Sequence, residues 1–545
     1  MEFLRFLQRE SGSTSRRVAV VTLLGGLASG LMVTVILAAA GKAAQPDETL
    51  RSLLLFSVTL GGTMAAKRYS LRYSGRLTEG IVERLRMRVV DKIRRSELQF
   101  FERTGAAQFM TLLTKEAQTI STTAAMAINA SAAAVMLLVS FLFIAYLSVP
   151  AFVLTLCAMA IAVLAYRWSL KLADPQLRQA LEMEISFFGL VEQVLDGFKE
   201  LKVGSGKSRD LFANYLEPLA ARVTALKIKT NDNFVNTTLI THSAFYGLIA
   251  VIIFLLPTIF GAEAAVVIKI SAVILFIFGP LAEVVGVVPY IAKANSSIQA
   301  IEALERQLDD ELMHLPKVSF SDDPVAWPIH TIEVRDLVYS YTNADGTPGY
   351  TVGPLNLSVR EGETLFIMGG NGSGKSTLLK LLTGLYRPAS GELRVNGQSL
   401  LPVQYHRYRN QFSIVFTDFH LFDRLYGLTR VNDESLATLL HDMELDLKTH
   451  YEEGRFSTLN LSTGQRKRLA LIVALLDDKA IIVFDEWAAD QDPVFRKRFY
   501  EEILPDLKRR GKTVIAATHD DRYFSVADRV LKMECGRFVP VGEAK

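Results

Sequence analysis

Residues 364–382 carry the densest chemistry in the chain. Thr364-Leu365-Phe366-Ile367-Met368 is a short apolar run with strand character. It leads into Gly369-Gly370-Asn371-Gly372-Ser373-Gly374-Lys375-Ser376-Thr377 and then the helical Leu378-Leu379-Lys380-Leu381-Leu382. This is the strand–GxxxxGK[ST]–helix order of a phosphate loop. Glycines let the backbone wrap a phosphate with its N–H groups, and the start of the helix adds a positive dipole. Lys375 is placed to reach the β- and γ-phosphates, and Ser376 to ligate Mg²⁺. A second apolar run, Ile481-Ile482-Val483-Phe484, ends in Asp485-Glu486. Four apolar residues before a carboxylate fit a buried parallel strand that delivers acids at its C-terminal edge. Asp485 suits the Mg²⁺ shell, and Glu486 suits the base that polarises an attacking water.

The rest of the chain is built for a different solvent. Its 545 residues exceed the ~250–300 at which single cores stop growing, so at least two domains are expected. Half the residues are apolar, 21% are charged, and the mean hydropathy is +0.23. Two cysteines, Cys157 and Cys535, stand too far apart for a disulfide scaffold or a cysteine metal cluster, and Cys157 reads as a small packing residue. A net charge of +3 gives no argument for nucleic acid.

Charged residues are absent from 18–41, 117–166, 233–262 and 52–66. A bilayer core takes ~20 helical residues, so the run of 50 from 117 to 166 makes two spans, punctuated at Ser148-Val149-Pro150. With 264–291, which carries Lys269 and Glu283, six spans are expected near 18–40, 51–68, 124–147, 151–167, 237–260 and 265–290. Lys and Arg number 26 on one side (residues 1–17, 67–116 and 167–232) against Lys42 and Arg51 on the other. That split puts both termini and the long loops in the cytoplasm. Ser15-Arg16-Arg17 before an apolar run imitates a secretory signal, but the run exceeds the ~7–15 residues of one and is read as the first span. The polar segments 68–123 and 168–236 read as helical extensions into the cytoplasm. The expected division is a membrane domain at 1–302, a linker at 303–330 marked by Asp309-Asp310-Glu311, Pro316, Pro324 and Pro328, and a nucleotide domain at 331–545.

Leu461-Ser462-Thr463-Gly464-Gln465 resembles the LSGGQ signature of ATP-binding cassette (ABC) transporters, with Thr463 in place of the first glycine. The resemblance implies an α-helical six-span membrane domain fused to an α/β phosphate-loop cassette that binds ATP and Mg²⁺. It implies that Gly369, Asn371, Gly372, Ser373, Gly374, Lys375, Ser376 and Thr377 hold the phosphates. Ser462, Thr463, Gly464 and Gln465 would cap the nucleotide on the opposite subunit, although Ser462-Thr463-Gly464 is also an ordinary helix N-cap. His519 matches the switch histidine that contacts the γ-phosphate, and Asp492 the loop that crosses the dimer interface. Tyr341 matches the adenine-stacking aromatic, with Tyr339 as the alternative. Thr417, in Val415-Phe416-Thr417-Asp418, stands where the family has a glutamine that ligates Mg²⁺ and couples the site to the membrane domain. Either Thr417 takes that role through a water or Asp418 takes part.

Phe100-Phe101-Glu102-Arg103-Thr104-Gly105 and Asp196-Gly197-Phe198-Lys199-Glu200-Leu201 resemble the two cytoplasmic loops of six-span exporters, which implies coupling helices near 96–104 and 207–214. Glu486-Trp487-Ala488-Ala489-Asp490-Gln491-Asp492-Pro493, with Phe416-Thr417-Asp418, is similar to bacterial cyclic-peptide and siderophore-peptide exporters of the pyoverdine type. One cassette and six spans are half a machine, so a homodimer in the bacterial inner membrane is implied. Its lipids and a peptide-like cargo are the expected partners, and periplasmic or outer-membrane export partners fit as well. A lipid or glycolipid flippase is the rival function, and a non-transporting regulator the third. Lys269, Glu283 and His242, with Asn129 beside them, are the candidates for a cargo cavity.

Overall fold

The computed structural model describes residues 2–40, 46–313, 327–342, 347–428 and 431–540. Two compact units emerge: Met1–Val89 with Met110–Ala303, and Val90–Phe109 with Leu304–Lys545.

The first unit is helical. Helix Glu2–Ala40 packs against Ala117–Leu147, which also receives Ala264–Gly286, and Val149–Asp196 runs beside Glu217–Ala250. Two glycines one helical turn apart permit the first contact. A Cβ on Gly26 would stand 2.6 Å from the Ala132 carbonyl oxygen, and one on Gly30 would stand 2.7 Å from Val139 Cβ. Small residues four apart let helix backbones approach where lipid offers no hydrophobic driving force. A buried cluster including Val33, Leu137, Ile144, Leu248, Ile252 and Ile270 fills the space between helices. The expected break at Ser148 is one residue long. Ser148 is extended (φ −162°) and its hydroxyl accepts from Ala151 N, capping the next helix, in which Pro150 occupies the first turn.

Among the described residues, Ala19–Leu37, Ala106–Leu147, Leu239–Phe260 and Ala264–Met313 are long and apolar enough to cross a membrane, and Val149–Ala165 is a shorter apolar helix. The segment 51–68 is helical within Pro46–Arg95 but falls outside that group. Its apolar residues Leu53, Leu54, Leu55 and Val58 are exposed. Helix Val288–Met313 extends through Asp309-Asp310-Glu311, into the expected linker. Pro316 and Pro324, like Lys42, lie outside the described residues.

The second unit holds two sheets. Thr331–Thr342 pairs antiparallel with Pro348–Arg360 and Ser390–Val395. The other sheet runs Arg537–Val539, Arg529–Glu534, Thr364–Met368, Thr513–Ala517, Ile481–Asp485 and Phe412–Val415, parallel except at its first pair. Every residue of Ile481–Asp485 and of Thr513–Ala517 is buried. That explains why these strands read as continuous apolar runs rather than alternating ones. Ala517 is level with both Ile367 and Asp485. Three strands therefore end together, and the loops leaving them converge on one edge of the sheet.

Candidate functional site

The loop after Thr364–Met368 is shaped by close approach and by left-handed backbone. A Cβ on Gly369 would stand 2.2 Å from the Met533 carbonyl oxygen, and Gly374 sits at φ +102°. Only glycine fits both without strain. Lys375 opens the helix Lys375–Leu382 and is nearly buried. Its ammonium donates to the carbonyls of Gly369 (2.9 Å) and Gly370 (3.1 Å) and lies 3.1 Å from both His519 Nε2 and Glu486 Oε1. His519 Nε2 is in turn 2.9 Å from Glu486 Oε1. Lysine, histidine and glutamate, from three different strand ends, thus meet at one point.

Glu486 occupies left-handed backbone at φ +50°, uncommon for a residue with a Cβ and a form of strain that concentrates at functional sites. Its N–H donates to the Ala517 carbonyl (3.0 Å), and its own carbonyl accepts from Lys467 Nζ (2.8 Å). Burial pushes its carboxyl up, but hydrogen bonds and charge from Lys375 and His519 outweigh burial and hold it below the usual glutamate range. Asp485 behaves oppositely: burial raises its carboxyl and the Glu486 charge adds to this, against the Ser376 and Thr417 hydroxyls beside it. Its Oδ1 is buried without a hydrogen-bond partner. A carboxylate beside the Ser376 hydroxyl that keeps one oxygen unpartnered suits Mg²⁺, which usually takes only one or two protein carboxylates. Ser373 Oγ is likewise buried and unpartnered, within the phosphate loop. Asn371 and Gly372 form the exposed rim of that loop.

Tyr341 reaches the same helix, its hydroxyl 2.9 Å from Thr377 Oγ1. Tyr339 is instead stacked on Tyr386, centroids 4.8 Å apart. Of the two tyrosines, Tyr341 is the one hydrogen-bonded to the phosphate-loop helix. Thr417 donates to the Asp485 carbonyl at 3.1 Å, whereas Asp418 is exposed.

The signature segment forms a corner of its own. Ser462 caps helix Thr463–Leu476, its hydroxyl accepting from Gln465 N while Gln465 Oε1 accepts from Ser462 N. Thr463 is exposed, and a Cβ on Gly464 would stand 2.8 Å from the Asp490 carbonyl. Asp492 caps Pro493–Arg498 and pairs with Arg468 at 2.5 Å.

These residues reach the lysine–glutamate–histidine cluster through Lys467, which sequence reasoning missed. Its ammonium is almost fully buried, holds the Glu486 carbonyl and pairs with Asp490 at 2.6 Å, while Trp487 Nε1 donates to its carbonyl. Gln491 was missed too; it accepts from Arg468 and donates to the Gly464 carbonyl. Within Arg466-Lys467-Arg468, helical phase was the one available signal: the last two of the three basic residues turn inward.

Residues 352–489 match the family described as ABC transporter, and 18–203 match the ABC transporter transmembrane region. ATP-binding protein SyrD of Pseudomonas syringae pv. syringae is 30% identical over 95% of this chain and 93% of its own length. The chain belongs to the ABC transporter family. It is an exporter half-transporter, with a helical membrane region and an ATP-hydrolysing cassette on one polypeptide. The ATP-dependent lipid A-core flippase of Alkalilimnicola ehrlichii is 29% identical over 50% of this chain and 47% of its own. A bacterial Atm1-family ABC exporter solved with ATP bound shares the transporter's fold: TM-score 0.74, 17% identity, 96% of this chain and 94% of that one. The expected fusion of helical membrane domain and α/β cassette is therefore met.

Proposed function

We propose that this half-transporter works as a homodimer in the bacterial inner membrane, six spans per chain and both termini cytoplasmic, and exports a peptide-like cargo such as a cyclic peptide or peptide siderophore precursor. The observation that carries the catalytic part is the meeting of Lys375, Glu486 and His519 beside the unpartnered Asp485 Oδ1. Lys375 and the loop N–H groups hold the β- and γ-phosphates. Ser376 and Asp485 would hold Mg²⁺, which when bound would neutralise charge on the phosphates. Glu486, kept ionised by its neighbours, orients the attacking water, and His519 donates to the γ-phosphate. Tyr341 stacks on adenine.

The corner at Ser462–Gln465 lies at the start of a different helix, which supports its use by the opposite subunit. Two chains then form two composite sites, and closing them around ATP drives the outward turn of the membrane helices. Peptide cargo rests on the likeness of residues 416–418 and 486–493 to cyclic-peptide exporters. The flippase relative supports lipid or glycolipid as the second reading. The test is ATP-dependent uptake into inverted vesicles, with ATPase followed in liposomes, for cyclic peptides and for lipid A-type glycolipid side by side. Peptide uptake with stimulated ATPase is the expected result. Response to the glycolipid alone overturns the peptide assignment.

A further inference from the structure

The imidazole of His519 is held at one end. Its Nε2 meets Lys375 and Glu486, and among the described residues its Nδ1 has no hydrogen-bond partner. The second nitrogen is where the orientation of a functional histidine is usually set. With nothing bonded there, the ring takes its place from the backbone that carries it.

Both residues flanking His519 are clamped to a single buried hydroxyl. Tyr500 lies on the π-helical turn Phe499–Ile503 and is 1% exposed. Its hydroxyl stands 2.6 Å from Thr518 Oγ1 and 3.2 Å from Asp520 Oδ2, and the Asp520 N–H donates to Thr518 Oγ1 at 3.1 Å. A carboxylate only accepts, and a phenol has one proton to give, so the directions follow. The Asp520 N–H donates to Thr518, the Thr518 hydroxyl to Tyr500, and the Tyr500 hydroxyl back to the Asp520 carboxylate. Three bonds thus close a ring that begins and ends on Asp520. Burial holds the Tyr500 phenol well above its ordinary value, so it stays a donor at neutral pH.

Each corner of the ring is fastened to something else. Thr518 N donates to the Ile367 carbonyl at 3.0 Å, and Tyr500 stacks on Tyr523 with centroids 4.4 Å apart. Asp520 Oδ1 stands 3.6 Å from Arg496, whose guanidinium also donates to the Ala489 and Gln491 carbonyls. We propose that Tyr500, acting through Thr518 and Asp520, is a positioning residue that sets where His519 Nε2 stands against Lys375 and Glu486. Buried bonds that polarise one another around a closed ring hold a backbone more firmly than isolated ones. Without the Tyr500 hydroxyl the phosphate loop keeps its own contacts. The backbone at 518–520 loses its clamp, and the imidazole moves away from Glu486.

This inference rests on the reading of the site given above, and its test separates the two. Full-length protein in liposomes is assayed for kcat and KM of ATP hydrolysis, for affinity towards a fluorescent ATP analogue, and for thermal unfolding. Tyr500→Phe removes one oxygen and should lower kcat at least about fivefold, the order of one hydrogen bond. KM and analogue affinity should stay within about twofold, with the melting temperature unchanged. Thr518→Val should do the same, and Thr518→Ser, which keeps the hydroxyl, should retain activity. Tyr500→Phe/Thr518→Val should lose no more than the worse single variant, since either lesion opens the same ring, whereas independent packing losses multiply. If Tyr500→Phe does not fold, Thr518→Val against Thr518→Ser decides. Unchanged kcat in Tyr500→Phe, multiplied losses in the double variant, or affinity and melting temperature falling in step with kcat overturn the proposal. Turnover lost in Glu486→Gln but kept in Tyr500→Phe overturns this proposal alone. Turnover kept in Glu486→Gln overturns the reading of the site, and this proposal with it.

Discussion

Lys375 Nζ lies 3.1 Å from Glu486 Oε1, joining the phosphate loop to the residue after the acid strand. The lysine proposed to bind phosphate and the carboxylate proposed to activate water share one ion pair, so a γ-phosphate entering between them would rearrange both. Lys375→Ala removes a buried donor and leaves Glu486 against His519 alone. ATP affinity is expected to fall about 10- to 100-fold, the worth of one or two charge-assisted hydrogen bonds. Titration with a fluorescent ATP analogue checks this.

Lys467→Met should damage hydrolysis without touching nucleotide. It leaves the Glu486 carbonyl and Asp490 without their shared partner. A loss of about 1–3 kcal/mol in cassette stability is expected, with at least a tenfold fall in ATPase and near-normal ATP binding. Thermal unfolding and phosphate release read the two effects separately.

Much of this site was legible before the fold was known, and the reasons are local. A phosphate loop is contiguous, so Gly369–Thr377 declares itself by spacing. Asp485-Glu486 and the residues before His519 declare themselves because fully buried strands are apolar throughout. Lys467 stayed hidden because a basic run after a helix cap reads as a solvated face, and its partners Glu486 and Asp490 lie about twenty residues away. The segment around Glu97 and Glu102 was legible, but their partners were not, because nothing local tells an acid facing water from one facing Arg387 or Lys380. The segment 51–68 is difficult for another reason. Its exposed leucines owe their meaning to a surrounding lipid or partner, and serine, threonine and two glycines dilute its hydropathy.

The close approach at Gly26 and Gly30 gives a prediction in the membrane unit. Gly30→Leu forces a side chain into Val139 and should separate helices Glu2–Ala40 and Ala117–Leu147. A melting temperature lowered by several degrees, or failure to recover folded protein from the membrane, is expected. Gly61→Leu, where a Cβ meets nothing, should leave stability within about 0.5 kcal/mol.

Asp528 anchors the start of the phosphate-loop strand by accepting from Thr364 N at 2.9 Å and pairing with Lys508. Burial pushes its carboxyl up, but Lys508 and the Thr364 N–H outweigh it and hold the group below the usual aspartate range. Its contribution is therefore present above about pH 4, the unfolded value, and lost as pH falls through the lower folded one. The pair is partly exposed, so Asp528→Asn should cost only about 0.5–1 kcal/mol at pH 7. The gap between variant and parent should shrink at pH 3.5. A gap that widened on acidification would contradict this account of the anchor.

Sharing of sites between subunits can be read from mixed dimers. Gly464→Asp pushes a side chain into the Asp490 carbonyl and should disable the signature corner, while Lys375→Ala disables the phosphate loop. A mixed dimer then carries one site with both lesions and one with neither. Recovery of ATP binding in the mixture alone is expected, and normal ATP binding in the Gly464→Asp homodimer would exclude sharing.

The most direct test of the central claim, ATP hydrolysis driven by a carboxylate poised at the meeting of three strands, is the ATPase rate of Glu486→Gln in liposomes, measured with its ATP affinity. The substitution keeps the shape and removes only the charge that orients water. Turnover at least ~10²-fold lower with ATP still bound is the expected result. Near-normal turnover would contradict the assignment of Glu486 and the mechanism built on it.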